Sequence, residues 1–202
     1  MEIAAIKKAG RCLREARTHL GELRSLQTSP LAEQFEREWR RFLNAIQSVA
    51  ESLTTGARTN PRSRQWMGAK NKLIRRDPLL SYLLHSRSVG FHGTQRLTLQ
   101  HISPGTYIEA DFDPHALLDE AEDGTWDVPP EVTSVRLWYD LLPVVNEKYR
   151  VTSMRPMEHL GTPLSDISAA GLAERAIEFY QGLLSEAATR PWSTSAGSAE
   201  HA

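Results

Sequence analysis

The run Leu83-Leu84-His85-Ser86-Arg87-Ser88-Val89-Gly90-Phe91-His92-Gly93 holds the side chains best suited to chemistry. Arg87 follows Leu83 by four residues and Leu84 by three, so on a helix it projects where those leucines project. A guanidinium on a core-facing stripe is costly unless it is paired or placed at an interface or cleft. His85, Ser88 and His92 have i, i+3, i+7 spacing and share a face for as long as a helix persists. His92 lies five residues beyond Arg87, about 140° round an ideal helix. Gly90 is expected to break the helix and release that angle. Such a group suits phosphodiester cleavage of RNA. A histidine near its ordinary pKa moves a proton to or from a 2′-hydroxyl or a leaving oxygen at neutral pH. An arginine holds the phosphate and stabilises developing charge. Arg87 and His92 are therefore the candidate catalytic pair, with His85, Ser88 and Tyr82 in support. This chemistry requires no metal or other cofactor. No carboxylate lies between Asp77 and Glu109 to complete a metal site with His85 and His92. The competing account pairs Arg87 with a carboxylate from another helix and lets His92 cap the C-terminus of its own.

A second signal is charge segregation. The chain holds 24 basic and 25 acidic residues, so its net charge conceals their distribution. Residues 52–108 contain nine Arg or Lys and one acid, Asp77, whereas residues 109–131 contain nine acids and no Arg or Lys. Arg62, Arg64, Lys70, Lys72, Arg75 and Arg76 form the densest basic stretch and are the candidate phosphate-contacting residues for a nucleic acid. Trp66, Tyr82, Phe91 and Tyr107 interleave with the basic residues, an arrangement compatible with base stacking or, for Trp66, with a place in the core. The alternative is that the basic and acidic stretches pair with each other within the fold or across a dimer.

These residues need a scaffold, and the hydrophobic pattern supplies one. Ile6, Ala9, Leu13, Ala16, Leu20 and Leu23 form a stripe along a helix over 2–26. Leu31, Phe35, Trp39, Phe42, Ile46, Val49 and Leu53 form a second, with Ser29 as N-cap and Pro30 at the first helical position. Two long helices joined by a few residues pack as an antiparallel hairpin. After a loop over 56–64, a third helix is expected over 64–76 with Trp66, Ala69 and Leu73 facing inward. Asp77 then caps a fourth helix, with Pro78 in its first position and Gly90 or Gly93 ending it. Beyond it the period changes. Alternation over 96–102, 106–112, 132–139 and 144–152 predicts four strands. Residues 153–167 read as loop, and Leu172, Ala173, Ala176, Ile177, Tyr180, Leu183 and Leu184 mark a last helix. The fold class is α+β: an N-terminal four-helix bundle with a long helical hairpin, a small antiparallel sheet, and a C-terminal helix that packs back. The helical region spans 1–93. The sheet and last helix, over 94–188, belong to the same compact unit. Residues 189–202 have the composition of a disordered tail.

Composition limits the functional classes. Of 202 residues 40% are hydrophobic, too many for a disordered chain. The single cysteine, Cys12, forms no disulfide within the chain and reads as packed beside the first stripe rather than reactive. No apolar run is long enough for a membrane span, and the charged N-terminus lacks the apolar stretch of a secretory signal, so the expected compartment is the cytoplasm. Glu109, Asp111 and Asp113 alternate and suit either a divalent cation or a solvated strand face. Glu158-His159, in a loop turned by Pro156 and Gly161, is a weak catalytic signal. There is no Gly-rich phosphate loop, HExxH or Ser nucleophile elbow.

The segment Arg87-Ser-Val-Gly-Phe-His92 matches Arg-x4-His and so resembles the motif of the HEPN superfamily. The helical first half, with its long antiparallel pair, is similar to the bundles of that superfamily, and the run Asp77-Pro78-Leu79-Leu80-Ser81-Tyr82-Leu83-Leu84-His85 resembles segments of bacterial proteins of this type. The resemblance covers residues 1–93. It implies a metal-independent endoribonuclease of a toxin or defence system, acting as a homodimer that brings two motifs into one cleft. Arg87 then takes the place of the motif arginine, His92 that of the histidine and Ser88 that of the polar residue after the arginine. It also implies RNA as substrate and a protein partner such as an antitoxin. The alternative on the same scaffold is a non-catalytic dimerisation or binding module, including one that binds nucleic acid through residues 58–76.

Overall fold

The structure is a computed structural model. It describes residues 1–92, 95–104, 135–146 and 150–192, with backbone only at 91–92, 103–104 and 135–136. The stripes become α1 (Ile3–Leu26) and α2 (Ala32–Gly56). Ala9, Leu13, Ala16, Leu20 and Leu23 of α1 are buried against Phe35, Trp39, Phe42, Ile46, Val49 and Leu53 of α2, which drives the antiparallel pairing. At the far end of the pair, a Cβ on Gly56 would lie 2.2 Å from the Ala5 Cβ, so only glycine permits this approach. The Glu2 N–H donates to the Gly56 carbonyl there, at 3.1 Å. The start of α2 differs from expectation. Leu31 is its N-cap residue, and Ser29 instead accepts weakly from the Leu31 N–H at 3.4 Å.

α3 (Pro61–Arg76) begins earlier than its hydrophobic pattern indicates, because the Asn60 side chain accepts from the Arg62 and Ser63 N–H groups and Pro61 supplies a preset φ. Its inward face is also rotated. Ser63, Trp66, Met67 and Ile74 are buried, whereas Ala69 and Leu73 are exposed. α4 (Pro78–His92) is capped by Asp77, whose carboxylate accepts the Leu80 N–H at 2.9 Å. Gly90 does not break α4, which runs on to His92. Its missing side chain serves packing instead: a Cβ there would meet Leu97 at 3.0 Å and Arg40 at 3.3 Å. α5 (Ala169–Thr189), capped by Ser168, returns to pack on α1 and α2 and completes the bundle. One apolar cluster joins Ala9 to Ala187.

Three two-stranded antiparallel ladders occur among the described residues. β1 (Thr98–Pro104) pairs with β2 (Val135–Leu141), from Thr98 opposite Leu141 to Pro104 opposite Val135. The expected inward alternation is inverted here. Thr98 is buried and Leu99 is 44% exposed, because the Thr98 hydroxyl turns in to donate to Glu36 at 2.6 Å. Tyr139 of β2 stacks on Phe35 at 4.0 Å and donates to the Ser29 carbonyl, which fixes this ladder over the α1–α2 turn. The strand expected over 144–152 is instead two, β3 (Val144–Asn146) and β4 (Val151–Ser153), paired with each other. The loop expected over 153–167 contains a small hairpin, β5 (Glu158–His159) and β6 (Thr162–Pro163). Leu160 and Gly161 at its turn both have positive φ, the geometry of a two-residue primed turn. The strand expected over 106–112 and the acidic segment 109–131 lie outside the described residues. Where a tail was expected from residue 189, Trp192 packs against Trp66 and its carbonyl accepts from Asn60.

Candidate polyanion-binding surface

The six basic residues expected to contact phosphate divide into two groups. At about 100° per residue, Arg62, Arg64, Lys72, Arg75 and Arg76 fall within an arc of about 160° on α3. All five are exposed, and α3 carries no acid. Lys70 falls outside that arc, among the buried residues. Its ammonium meets Glu186 of α5 at 2.6 Å, so it belongs to the packing of α3 and not to the open face. Trp66 is buried beside it, donates through Nε1 to Glu186 at 2.8 Å, and presents no surface to a base. Lys70 first, then Trp66 and Arg190, hold the Glu186 carboxyl below its ordinary pKa against the opposing effect of burial.

The candidate catalytic and supporting residues all lie on α4. Leu83 is buried, Leu84 is half-buried, and Arg87 sits at the edge of the stripe with its side chain 31% exposed. Arg87 reaches Glu51 of α2 at 3.8 Å, a long ion pair, and its Nε donates to the Asn44 side chain at 3.4 Å. The arginine thus faces a neighbouring helix rather than the core. Because α4 is continuous, positions 87 and 92 are about 140° apart round its axis. His92 is described in its backbone alone. Ser88 is half-buried, and burial lowers the pKa of the half-buried His85. Tyr82 cannot act in support. It is buried, its hydroxyl donates to the Leu142 carbonyl at 2.9 Å, and burial pushes its pKa up to about 12. No group of three or more His, Cys, Asp or Glu suited to a metal occurs among the described residues.

Between α2 and α3 runs a groove lined by Arg75 of α3, Leu84 of α4, Glu51 and Thr54 of α2, and Arg58 just beyond its end. It links the exposed face of α3 to the Glu51–Arg87 contact. On the far side of Asn44, α2 continues with Arg41, Arg40 and Arg37 into a second cleft against β1. Positions 37, 41, 44, 51 and 54 repeat at helical spacing, so one polar stripe of α2 borders both grooves. Sequence reasoning passed over the α2 arginines because their stripe is interrupted by Glu36 and Glu38. The available signal was the i, i+3, i+4 spacing of Arg37, Arg40 and Arg41 opposite the apolar stripe.

The weak Glu158-His159 signal resolves into a tertiary tie. The His159 Nδ1 lies 2.9 Å from the Asp77 carboxylate, which is 1% exposed, and Asp77 also accepts the Leu160 N–H at 2.6 Å. One carboxylate therefore caps α4 and holds the positive-φ residue of the β5–β6 turn in place. No protein-family model, curated protein or solved structure matches the chain.

Proposed function

We propose that this protein is a nucleic-acid-binding helical module whose contact surface is the exposed face of α3. The observation that carries this reading is the sharing of one acid-free helix face by Arg62, Arg64, Lys72, Arg75 and Arg76. Arginine forks and lysine ammonium groups on such a face engage successive phosphates without reading bases. The buried Trp66 and Tyr82 leave this face without a stacking platform from those two residues, so the contact is to backbone phosphate. The test is fluorescence anisotropy with labelled single-stranded RNA and a duplex across a salt series. Five phosphate contacts on a single strand give a log–log salt slope of about −3.5. Replacing Arg64, Lys72 and Arg76 together by glutamine lowers affinity across sequences and flattens the slope by about 2. Unchanged binding in that variant, or no binding by folded wild type, overturns the reading.

A second reading is the HEPN-like metal-independent ribonuclease, acting as a homodimer with Arg87 and His92 on the scissile phosphate. What favours it is the partly exposed Arg87, whose partner Glu51 lines a groove that Arg75 of α3 also borders. Its test is cleavage of a mixed RNA pool in EDTA by wild type, Arg87→Ala and His92→Ala, with light scattering to report the oligomer. Cleavage lost in both variants supports it. Binding without cleavage leaves the module as the function.

A further inference from the structure

A cleft of about 540 Å³ opens between α2 and the start of β1, within the size range of small-ligand sites. Arg37, Arg40 and Arg41 line one side and Arg96 and Leu99 the other. Among the described residues its carboxylates are Glu33 and Glu36. Glu36 is consumed by the fold. It accepts from the Leu97 N–H at 3.1 Å and from the Thr98 hydroxyl at 2.6 Å, and it pairs with Arg40 at 2.8 Å. Arg40 is consumed with it, since it also donates to the Gly90 carbonyl and, at 2.7 Å, to that of Gln95. Arg41 shares Glu38 with His19. Arg37 and Arg96 are exposed and make no ion pair or side-chain hydrogen bond with another described residue. Four arginines stand against Glu33, Glu36 and, behind Arg41, Glu38, so among the described residues one positive charge is left over for an anionic phosphate group to balance.

We infer that this cleft binds the terminal phosphate of a nucleotide or of a nucleic-acid strand. Arg37 and Arg41 are neighbours on one helix face, and Arg96 approaches from the opposite wall. A phosphate between them meets guanidinium forks from two directions, the arrangement that favours bidentate contact. The Glu36–Arg40 pair fixes the distance between the walls, because both of its members bond to the segment that carries Arg96. The exposed Leu99 offers an apolar surface to the ribose or base that follows the phosphate. This inference does not rest on the α3 reading, since none of its residues lies on α3.

The test is competition against a fluorescent nucleoside diphosphate at physiological salt, with inorganic pyrophosphate, ADP and adenosine as probes. Two oligonucleotides of one sequence, with 5′-phosphate or 5′-hydroxyl ends, form the second arm. Pyrophosphate and ADP are expected to compete and adenosine is not. Replacing Arg37 and Arg96 together by alanine weakens binding on the order of 10- to 100-fold without moving the thermal midpoint, because both are exposed and neither supports the fold. Lys72→Ala with Arg76→Ala, on α3, leaves the binding of pyrophosphate and ADP unchanged, whatever it does to overall strand affinity. Preference for the 5′-phosphorylated strand, lost in the cleft variant, assigns the site to a strand end. Binding of ADP with no such preference assigns it to a free nucleotide. Failure of pyrophosphate, ADP and the phosphorylated strand alike to bind folded wild type overturns the inference. Binding that survives loss of both arginines overturns it as well.

Discussion

At the seam between α3 and α5, the donors Lys70, Trp66 and Arg190 converge on one carboxylate, Glu186, at 2.6, 2.8 and 2.5 Å. In the cleft between α2 and β1, among the described residues, four arginines face Glu33 and Glu36; Arg41 is also paired with Glu38, and Glu36 is already bonded to a backbone N–H, a hydroxyl and Arg40. Both regions are rich in charge, but each cation of the seam has an acid in contact, whereas Arg37 and Arg96 of the cleft meet none among the described residues. The difference shows that the number of basic residues is a poor guide to a ligand site. What marks a site is a cation held in place with no acid to answer it. Lys70 was a plausible phosphate contact by type and spacing, yet Glu186 already answers it. Arg37 and Arg96 were not singled out by type and spacing, yet they line a cavity and meet no acid among the described residues.

The contrast can be sharpened first at its most compensated extreme. Asp77→Ala removes the cap of α4, the partner of His159 and the acceptor that holds Leu160 at positive φ. A loss of about 3 to 4 kcal/mol in denaturant unfolding is expected. A loss below about 1 kcal/mol would show that the β5–β6 hairpin is tethered by other contacts. Next come two arginines on one helix. Arg40→Ala is expected to cost about 2 to 3 kcal/mol, since it frees Glu36 and two carbonyls, whereas Arg37→Ala stays within about 0.5 kcal/mol. Equal effects of the two would erase the distinction between fold arginine and ligand arginine. At the seam, Glu186→Gln keeps the shape but weakens three charge-assisted contacts at a partly solvated site, for a loss of about 1 kcal/mol.

The smallest effects appear in pH. Burial lowers the His85 pKa from its ordinary value of 6.5, so the unfolded chain binds this proton more readily than the fold does. Stability therefore falls as pH drops below about 6.5. The Glu186 pKa lies below its ordinary 4.5, so its contribution is present above that value and is lost on further acidification. Thermal melts at pH 7.5, 5.5 and 4 should show both declines, each of a few degrees. His85→Gln removes the first and Glu186→Gln reduces the second. A single decline unaffected by His85→Gln would place the sensitivity elsewhere.

Much of the helical architecture was legible because long helices repeat one rule many times. Leu13, Leu20, Phe35, Trp39 and Leu53 are buried on the stripes their spacing marks out. Asp77 caps its helix because a local side-chain bond needs only its own next residues. Short elements were less legible. α3 has few apolar residues to define its phase, and its inward face was misplaced by one position. Gly90 sits within the helix with Leu97 and Arg40, the latter fifty residues away, packed close beside it. Thr98 turned inward because Glu36 waits for it across the fold.

By itself the sequence determined the α+β class, the long hairpin, the returning last helix and the density of cations between residues 58 and 76. These follow from periodicity, capping and composition, which act over a few residues. Only the tertiary structure decided which cations are answered. Lys70 meets Glu186, 116 residues away, Arg40 meets Gly90 and Gln95, and Arg37 meets no described partner. Charge compensation is a matter of distance in space, and distance in space is set only when the chain has packed.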